Sequence, residues 1–519
     1  MSSSAIIDPA MPDPAMPDLA SPRYYLAPGL RLSAGPTHRV VDPATLEEVG
    51  ARAEVTPDEV VEVLARVNAA QKLWNRTDAK SRARMLHQLA NRIETADFTE
   101  CAILMSREMG KPYPEAIGEL ANVAPIFRYY AEMARDDAGK IAGTTQIGST
   151  QYARYEALGV SVHIMPFNFP ILLMCWTVAA SLAAGNGCIV KPAEATTLCT
   201  LDFMKVFDEL PAGLVACLPG GAEVGRALVD SERTHAVAFT GSVAAGRAVA
   251  MAAASRLKPA VIEAGGSDPM IIAASAPLDV AAAGAVTGAF HMSGQVCTST
   301  ERIYAVDAIH DDFVRAFVAR TKQLRIGNGL ERNEIGPLVA KAARDKVMRL
   351  VADAVAKGAR VECGGRIPEG LETGWFYAPT ILTGCTSDME ILHEETFGPV
   401  VAVCRVADFD AAVAAANDSP FGLGASIFTT SLEEAIEASE RLEAGMVWVN
   451  NPMIDNDALP FGGWKASGMG RELGRQGLDA FRRSKMVVMD HKPQIHGWWY
   501  PYPDDWFLDR AGTGGRKHV

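Results

Sequence analysis

The sequence predicts an α/β fold whose central part is a Rossmann-like domain. Between residues 160 and 266, short runs of β-forming residues alternate with helical segments, and neighbouring runs begin roughly 25 residues apart. That spacing leaves room for one crossover helix between neighbouring strands, as in the βαβ units of a parallel sheet. The predicted strands are VSVHIM (160–165), CIVKP (188–192), LVACLPG (214–220), HAVAFTGS (235–242) and PAVIEAGG (259–266).

Two helices are predicted ahead of this sheet. Residues 56–74 and 81–96 carry apolar side chains three and four positions apart, as on the buried face of a helix. Thr56 and Ser81 open the two segments with hydroxyl groups that accept hydrogen bonds from a first helical turn. We therefore expect these two residues to be the N-caps.

A second α/β unit is predicted after Gly266. A helical segment (281–292) leads into a polar turn around Cys297, which is followed by the strand-like run ERIYAV (301–306). The same alternation continues to residue 450. Its further elements are helices around 310–324 and 340–358 and strands at 400–406, 424–429 and 445–450.

Composition excludes several classes of protein. The 519 residues carry a formal charge of −13, which disfavours nucleic acid and anionic membranes as partners. No apolar run reaches the roughly 18 residues of a membrane span. The N-terminus lacks the pattern of an export signal, so we expect a cytoplasmic location. Residues 1–22 contain the repeat DPAMP and are predicted to be a disordered tail.

Nine cysteines are scattered along the chain without CxxC pairs. Neither a disulfide framework nor a metal site is therefore predicted. Eight of the nine lie in apolar segments and are expected to be small core residues. Cys297 differs, because glycine, glutamine, threonine and serine surround it in SGQVCTSTERIYA (293–305).

Three residues suggest a chemical reaction. Cys297 supplies a thiol nucleophile, Glu263 in VIEAGGSDP supplies a carboxylate, and Asn168 in PFNFP (166–170) supplies a side-chain amide. Attack of a thiol on a carbonyl carbon needs a donor to the developing oxyanion and a base that activates water to release the acyl group. The set indicates oxidation of an aldehyde through a thioester. The structural alternatives are a buried thiol, a buried ion pair and a turn-forming asparagine.

Four further blocks accompany these residues in a fixed order. They are NGCIVKPAEAT (186–196), FTGSVAAGR (239–247), EETFGPVV (394–401) and LPFGGWKASGMGRELGRQGL (459–478). With all seven blocks, the chain resembles the NAD(P)-dependent aldehyde dehydrogenase superfamily from about residue 40 to about residue 488. The resemblance implies the aldehyde dehydrogenase fold, Cys297 as nucleophile, Glu263 as the base and Asn168 as oxyanion donor. Because Glu263 is present, the expected product is a free carboxylic acid.

The resemblance also implies a domain organisation and a homodimer or homotetramer. The expected parts are an NAD-binding domain (23–137 and 157–265, with a return at 464–483), a catalytic domain (266–463), a small β oligomerisation arm (138–156 and 484–498) and a C-terminal tail (499–519). The tail is rich in aromatic residues. We expect it either to pack across a subunit interface or to cover the mouth of a substrate tunnel.

A set of residues is expected to bind the cofactor. Lys191 and Glu194 would hold the adenosine ribose, and the negative charge of Glu194 would repel a 2′-phosphate, so NAD is predicted over NADP. Ser242 would open a helix that faces the pyrophosphate. The residues expected at the cofactor are Lys191, Glu194, Phe167, Gly241, Ser242, Glu395 and Phe397, with Glu395 at the nicotinamide ribose and Phe397 beside the ring.

The substrate is expected to be an uncharged aldehyde, aromatic or medium to long aliphatic. The loop NNPMIDNDA (450–458) has no basic residue, and Asp455 and Asp457 would repel a carboxylate. A semialdehyde remains an alternative, with Arg302 as a source of positive charge. A cofactor-independent thiol esterase and a noncatalytic member of the fold are alternatives of another class. The residues expected at the substrate are Phe169, Trp176, Thr298, Asp455 and Phe461.

Overall fold

The computed structural model describes residues 21–136 and 139–507. Nearly all of the predicted N-terminal tail and the last part of the C-terminal tail lie outside the described residues. The described chain forms two compact units. The larger unit holds residues up to 136 and 157–483, and the smaller unit holds 139–156 and 484–507.

The strands and helices of the described residues are numbered along the chain. The strands are β1 Arg23–Leu26, β2 Leu30–Leu32, β3 Thr37–Val41, β4 Glu48–Ala53, β5 Gly139–Ile141, β6 Ser149–Ala157, β7 Val160–Ile164, β8 Gly187–Lys191, β9 Val215–Cys217, β10 Ala236–Gly241, β11 Ala260–Ala264, β12 Asp268–Ile272, β13 Thr300–Val306, β14 Arg360–Cys363, β15 Thr380–Thr383, β16 Val400–Val406, β17 Gly424–Phe428, β18 Met446–Val449, β19 Gly468–Met469 and β20 Arg482–Asp490. The α-helices are α1 Pro57–Trp74, α2 Ala79–Thr95, α3 Thr99–Met109, α4 Tyr113–Ala121, α5 Val123–Asp136, α6 Leu172–Ala184, α7 Thr197–Phe203, α8 Ala222–Asp230, α9 Val243–Ser255, α10 Leu278–Phe290, α11 Asp307–Thr321, α12 Lys341–Ala356, α13 Phe409–Asn417, α14 Leu432–Arg441 and α15 Gly474–Asp479.

The first large sheet has the order β19-β11-β10-β7-β8-β9-β1-β2. Its five central strands are parallel, and they are the five strands predicted between residues 160 and 266. The predicted βαβ arrangement is confirmed. The edge strands β1, β2 and β19 are antiparallel and were not predicted.

The second large sheet has the order β14-β15-β16-β13-β12-β17-β18 and is parallel except at β14. The predicted strands at 301–306, 400–406, 424–429 and 445–450 are its β13, β16, β17 and β18. The predicted helices around 310–324 and 340–358 are α11 and α12. Since β11 and β12 are separated by only three residues, the chain passes directly from the first sheet to the second.

The predicted helix starts are correct for α1 and wrong for α2. The Thr56 side chain accepts from the Glu59 N–H, and the Glu59 carboxylate accepts from the Thr56 N–H, which completes a capping box. In α2 the cap is Asp78, whose carboxylate accepts from the Ser81 N–H at 2.9 Å. The ionised side chain three residues earlier is the stronger acceptor, so Ser81 lies in the first turn.

The smaller unit contains a three-stranded sheet with the order β20-β6-β5. His491 donates its N–H to the Gly148 carbonyl at 2.8 Å, which holds the chain after β20 beside the loop before β6. Large apolar side chains of this unit are exposed. They include Ile141, Ile147, Met486, Ile495, Trp498, Tyr500 and Phe507.

The cysteines largely follow the prediction. All nine are free thiols, and six of the eight expected core residues are buried. Cys363 and Cys385 are only half-buried. Across residues 21–136 and 139–507, no helix combines the length and the apolar character needed to cross a membrane.

Candidate active site

Cys297 lies in a tight loop between α10 and β13. Met292, Ser293 and Gly294 all adopt positive φ angles, of 50°, 58° and 72°. Two non-glycine residues in this region represent backbone strain that surrounding contacts must hold. A side chain at Gly294 would collide with the carbonyl of Gly398, so only glycine fits there. The loop is therefore forced into one shape just ahead of the thiol.

Hydrogen bonds hold this loop from several sides. Ser293 donates its hydroxyl to the Gly336 carbonyl at 2.8 Å. The Gln295 amide donates to the Met292 carbonyl at 3.2 Å and accepts from the Val339 N–H at 2.9 Å. Gly266 approaches the loop so closely that a Cβ there would lie 2.5 Å from the Cys297 carbonyl oxygen.

Glu263 lies on β11, between β10 and β19, and is only 2% exposed. Burial and the nearby Glu472 raise the pKa of Glu263 well above its usual value. Burial and the adjoining Glu263 also raise the pKa of the Cys297 thiol. The thiol is therefore protonated at rest, and its proton must be taken up as it attacks. Among the described residues, Glu263 Oε1 has no hydrogen-bond partner, so this oxygen can accept that proton when Glu263 is ionised.

Asn168 follows β7 in the loop that enters α6. Its side-chain oxygen accepts from the Phe169 N–H at 3.1 Å, and the residue is 2% exposed. This bond occupies the side-chain oxygen of the amide. Asn168 lines the same cleft as Cys297 and Glu263. The structure thus brings the three predicted reacting residues together.

Cys297 lies where two cavities meet. One cavity, of about 440 Å³, and another, of about 420 Å³, both have this residue in their lining. The first contains all five residues expected at the substrate. The second is lined by Asn168 and Glu263 and by five of the seven residues expected at the cofactor, namely Phe167, Gly241, Ser242, Glu395 and Phe397.

The other two expected cofactor residues lie beside the second cavity. Lys191 and Glu194 are not in its lining, although Ala193 between them is. Lys191 is 7% exposed, and burial lowers the pKa of its ammonium group. Glu194 is half-exposed and lies 3.3 Å from the guanidinium of Arg52, a residue that the sequence did not predict here. Arg52 Nη1 is buried and has no partner among the described residues.

The start of α9 also lines the second cavity. Ser242 is the N-cap, and its hydroxyl accepts from the Ala245 N–H at 3.3 Å. A side chain at Gly241 would press on the ring of Phe239 at 2.8 Å. The free N–H groups of the first turn and the helix dipole favour an anion in this place.

The end of this cavity near Cys297 has an aromatic and acidic wall. The rings of Phe167 and Phe397 meet edge to face at 5.7 Å. Glu395 accepts the Gly266 N–H at 3.1 Å and lies against Gly265, where a side chain would collide with it. Burial and the neighbouring Glu301 raise the pKa of Glu395 to about 8.

Aromatic side chains line the first cavity. Trp176 and Phe461 pack edge to face at 4.9 Å, and Phe169 faces His291 at 6.5 Å. Asp455 also lines this cavity; its side chain is exposed, and partial desolvation by the surrounding protein raises its pKa to about 6. Arg302 does not line the cavity, because its guanidinium donates to the Ser267 carbonyl at 2.8 Å inside the second sheet.

Comparison with known proteins decides the family. The model for the aldehyde dehydrogenase family matches residues 31–487. The chain belongs to this family. A betaine aldehyde dehydrogenase of Bacillus subtilis (strain 168) is 34% identical over 467 residues, which cover 88% of this chain and 95% of that protein. Retinal dehydrogenase 2 of Homo sapiens is 37% identical over 472 residues, covering 88% and 89%.

The fold matches solved members of the family as well. The crystal structure of a betaine aldehyde dehydrogenase from Staphylococcus aureus in complex with NAD+ has a TM-score of 0.88 and 29% identity, and the match covers 93% of this chain and 97% of that one. The predicted family, the α/β fold class and the assignment as an oxidoreductase that acts on aldehydes are confirmed.

Several polar residues of this aldehyde dehydrogenase site were missed from the sequence. Glu115 and Glu119 on α4 line the substrate cavity. Glu119 is buried in an ion pair with Lys111 and accepts the Ile171 N–H at 2.8 Å. Glu115 accepts the Met292 N–H at 3.1 Å, ahead of the nucleophile. Helical spacing of these glutamates was visible in the sequence, but their partners come from distant elements.

Proposed function

We propose that this aldehyde dehydrogenase oxidises an aldehyde that carries no negative charge to the free carboxylic acid, with NAD as cofactor. The observation that carries the proposal is the position of Cys297 at the junction of two cavities. A carbonyl carbon held at the thiol from the first cavity would face the second cavity on its other side.

The residues at this junction support a two-stage reaction on the thiol. Cys297 adds to the aldehyde carbon while Glu263 accepts the thiol proton, and Asn168 and the Cys297 N–H stabilise the oxyanion of the hemithioacetal. When bound, NAD supplies the acceptor for the hydride that leaves this carbon. Once Glu263 has released the thiol proton to solvent, its carboxylate takes a proton from water, which attacks the thioester. That proton then passes to the leaving thiolate, so that the acid and the thiol are released.

The chemistry of the second cavity fits NAD. The Staphylococcus aureus relative binds NAD+. Here, α9 presents N–H groups for a pyrophosphate, and Lys191 and Glu194 lie beside the cavity for a ribose. The buried hydroxyl of Thr396 lines the cavity without a partner among the described residues, as expected where a polar ligand binds.

Replacing Glu194 with serine is expected to raise the use of NADP relative to NAD by about one to two powers of ten, because one repulsive charge is removed. The gain should be helped by Arg52, which loses its carboxylate partner, and by Lys191. The measurement is the ratio of kcat/KM for the two cofactors. Glu194→Ser combined with Arg52→Gln should gain less. An unchanged ratio in the single variant would place discrimination elsewhere.

The charge of the substrate cavity supports a substrate without a carboxylate. Glu115, Glu119 and Asp455 line it, and no described lysine or arginine does, although Glu119 is paired with the buried Lys111 and Glu115 lies 3.2 Å from His291. A semialdehyde would therefore meet the acid Asp455 and find no lysine or arginine in the lining to bind its carboxylate. The relatives are named for different aldehydes, betaine aldehyde in one case and retinal in the other, and so do not decide the substrate of this chain. An uncharged substrate therefore stays a prediction.

Three aldehydes of one skeleton test the proposal by NADH absorbance. They are 5,5-dimethylhexanal, its isostere 4-(trimethylammonio)butanal and the anion 5-oxopentanoate. We expect kcat/KM for the anion to be at least about tenfold below that of the neutral aldehyde, because like charges oppose binding. A preference for the anion would favour the semialdehyde alternative. Thiol-dependent ester hydrolysis without any NADH would favour the esterase, and no activity at all would favour a noncatalytic member.

We further propose a homodimer or homotetramer, with residues 138–156 and 484–498 as the oligomerisation arm. Within the larger unit, Met251 and Leu257 at the end of α9 are 69% and 92% exposed. Within the smaller unit, Ile147 is 96% exposed. Packing of a second subunit against these side chains would remove them from water, which favours association. The domain boundaries and a cytoplasmic location stay predictions.

Truncation after Gln494 is expected to lower the oligomer mass in light scattering if the aromatic tail packs across an interface. Tyr500, Tyr502 and Trp506 contact one another in a row, yet Tyr500 remains 82% exposed. Each such side chain can bury about 150 to 250 Å² when covered. An intact oligomer with altered KM for bulky aldehydes would instead support a cover over the tunnel. A monomeric full-length chain would contradict the oligomer.

A further inference from the structure

Glu301 is a fully buried carboxylate four residues after the nucleophile. It lies on β13 in the second sheet and is 1% exposed. A charge in such a place is costly unless it is hydrogen-bonded. None of the reacting or binding roles assigned above uses this residue.

The carboxylate of Glu301 holds the backbone of a turn that lies at the cofactor cavity. Its two oxygens accept the N–H groups of Thr396 and Phe397, at 2.8 and 2.7 Å. Phe397 has a φ of 49°, a left-handed conformation that a phenylalanine rarely adopts without support. The two short bonds provide that support, because they fix the peptide groups on both sides of Thr396.

The turn carries the end wall of the cofactor cavity. Glu395, Thr396 and Phe397 all line the cavity, as does Lys346. The ring of Phe397 meets that of Phe167, and Glu395 is bound to the Gly266 N–H beside β11. A shift of the turn would therefore move an aromatic ring and a carboxylate at the end of the cavity where Cys297 lies.

We propose that Glu301 is a positioning residue for hydride transfer: its carboxylate clamps the Glu395–Phe397 turn and so sets the wall against which the nicotinamide end of the cofactor is held. The proposal rests on the proposed NAD-dependent function. Glu301 touches neither substrate nor reacting atoms. It acts through the turn, and the reaction is sensitive to this because misplacement by about 1 Å can cost about 100-fold in rate.

The chain offers a matched control in Glu108. This residue on α3 is also buried, at 2% exposed, and its carboxylate accepts two successive N–H groups, of Leu198 and Cys199, at 2.8 and 2.7 Å. Burial raises the pKa of Glu108 to about 7 and that of Glu301 to about 7 as well. Glu108 lines neither cavity at Cys297. The two residues therefore share one hydrogen-bonding arrangement in different places.

The experiment compares Glu301→Gln with Glu108→Gln in the full-length enzyme. An amide has one acceptor oxygen, and its NH2 group opposes the second N–H, so both variants should lower the melting temperature to a similar degree. Only Glu301→Gln should lower kcat for NAD-dependent oxidation, by about 10- to 100-fold. The primary isotope effect on kcat with the 1-deuterated aldehyde should rise, because hydride transfer becomes rate-limiting.

A reaction that needs no cofactor distinguishes loss of the Glu301 clamp from general damage to the active site. Hydrolysis of p-nitrophenyl acetate at Cys297 uses the thiol, Asn168 and Glu263 but no cofactor, so Glu301→Gln should leave its rate at the wild-type value. A fall in ester hydrolysis in proportion to kcat would overturn the proposal. So would wild-type kcat and isotope effect in Glu301→Gln.

A second variant covers the case in which Glu301→Gln does not fold. Glu301→Asp keeps the charge but is one carbon shorter, so it cannot reach both N–H groups and should show the same loss of kcat with a higher isotope effect. Failure of both variants to fold while Glu108→Gln folds would overturn the proposal, since Glu301 would then be needed for the fold itself. Failure of the wild type to form NADH with any aldehyde would instead refute the proposed function.

Discussion

Replacing Cys297 with alanine is expected to abolish aldehyde-dependent NADH formation. Without the thiol no hemithioacetal forms, and a free or hydrated aldehyde is not held with its hydrogen toward the cofactor cavity. No NADH should be detectable by absorbance at 340 nm. Binding of NAD, measured by quenching of tryptophan fluorescence, should persist. This pattern would assign the defect to chemistry.

Two other partly buried thiols provide the control for this variant. Cys363 and Cys385 are half-buried like Cys297, but they line neither cavity. Burial raises the pKa of both thiols, as it does for Cys297, so the controls differ from Cys297 in their place and not in the direction of this shift. Cys363→Ala and Cys385→Ala should keep wild-type kcat. Measurable turnover in Cys297→Ala, or its loss in either control, would contradict the assignment of the nucleophile.

The sequence was sufficient for the strands that carry the site. Strands β7 to β11 are largely buried on both faces, so they appear as short runs rich in apolar residues, although β7 includes Ser161 and His163. The edge strands were missed because β19 is two residues long and β1 pairs with β9, almost 200 positions away along the chain. Short strands in long-range pairs leave no local periodicity to detect.

The reacting residues could be predicted, but the residues that hold them could not. Glu263 and Asn168 are polar residues in otherwise apolar segments, whereas Cys297 is a thiol in a polar segment, and these contrasts mark the three residues. The partners of Glu301 lie 95 and 96 residues further along the chain. The sequence shows that Glu301 is a charged residue at the start of the apolar run ERIYAV, which is unusual for a buried strand. Only the tertiary structure shows what Glu301 binds.

The pairing of Arg52 with Glu194 likewise depended on tertiary structure. Glu194 alone predicts repulsion of a 2′-phosphate, whereas the neighbouring guanidinium offsets part of that repulsion. The proposed preference for NAD would therefore depend on the balance between the charges of Glu194 and Arg52. For this reason the ratio of kcat/KM for NADP and NAD is more informative for Glu194→Ser than the rate with NAD alone.

Acidic groups dominate the chemistry around the thiol. Glu263, Glu395 and Glu472 are buried near one another, and the pKa of each is raised, to about 8 for Glu395 and for Glu472. A carboxylate with a raised pKa is a stronger base once it is ionised. Since the ionised form is scarce at low pH, turnover should fall as the pH is lowered through the raised pKa of Glu263.

Glu263→Gln is expected to release one equivalent of NADH per active site and then stall. The amide cannot accept a proton from water, so the thioester formed in the first turnover persists. The amplitude of the burst should remain near one, while its rate constant falls, because Glu263 also accepts the thiol proton and the pKa of that thiol is raised. Rapid-mixing absorbance gives both quantities, and intact mass spectrometry should detect the acyl group on the stalled enzyme.

Hydroxylamine distinguishes a stalled thioester from a damaged enzyme. It attacks a thioester without needing a base, giving a hydroxamic acid and the free thiol, so it should restore multiple turnovers to Glu263→Gln. Glu108 is as buried as Glu263, and the variant Glu108→Gln should turn over without hydroxylamine. Steady-state turnover of Glu263→Gln near the wild-type rate would show that another group activates water. A stalled enzyme with no burst and no acyl group would show that the first step already requires Glu263.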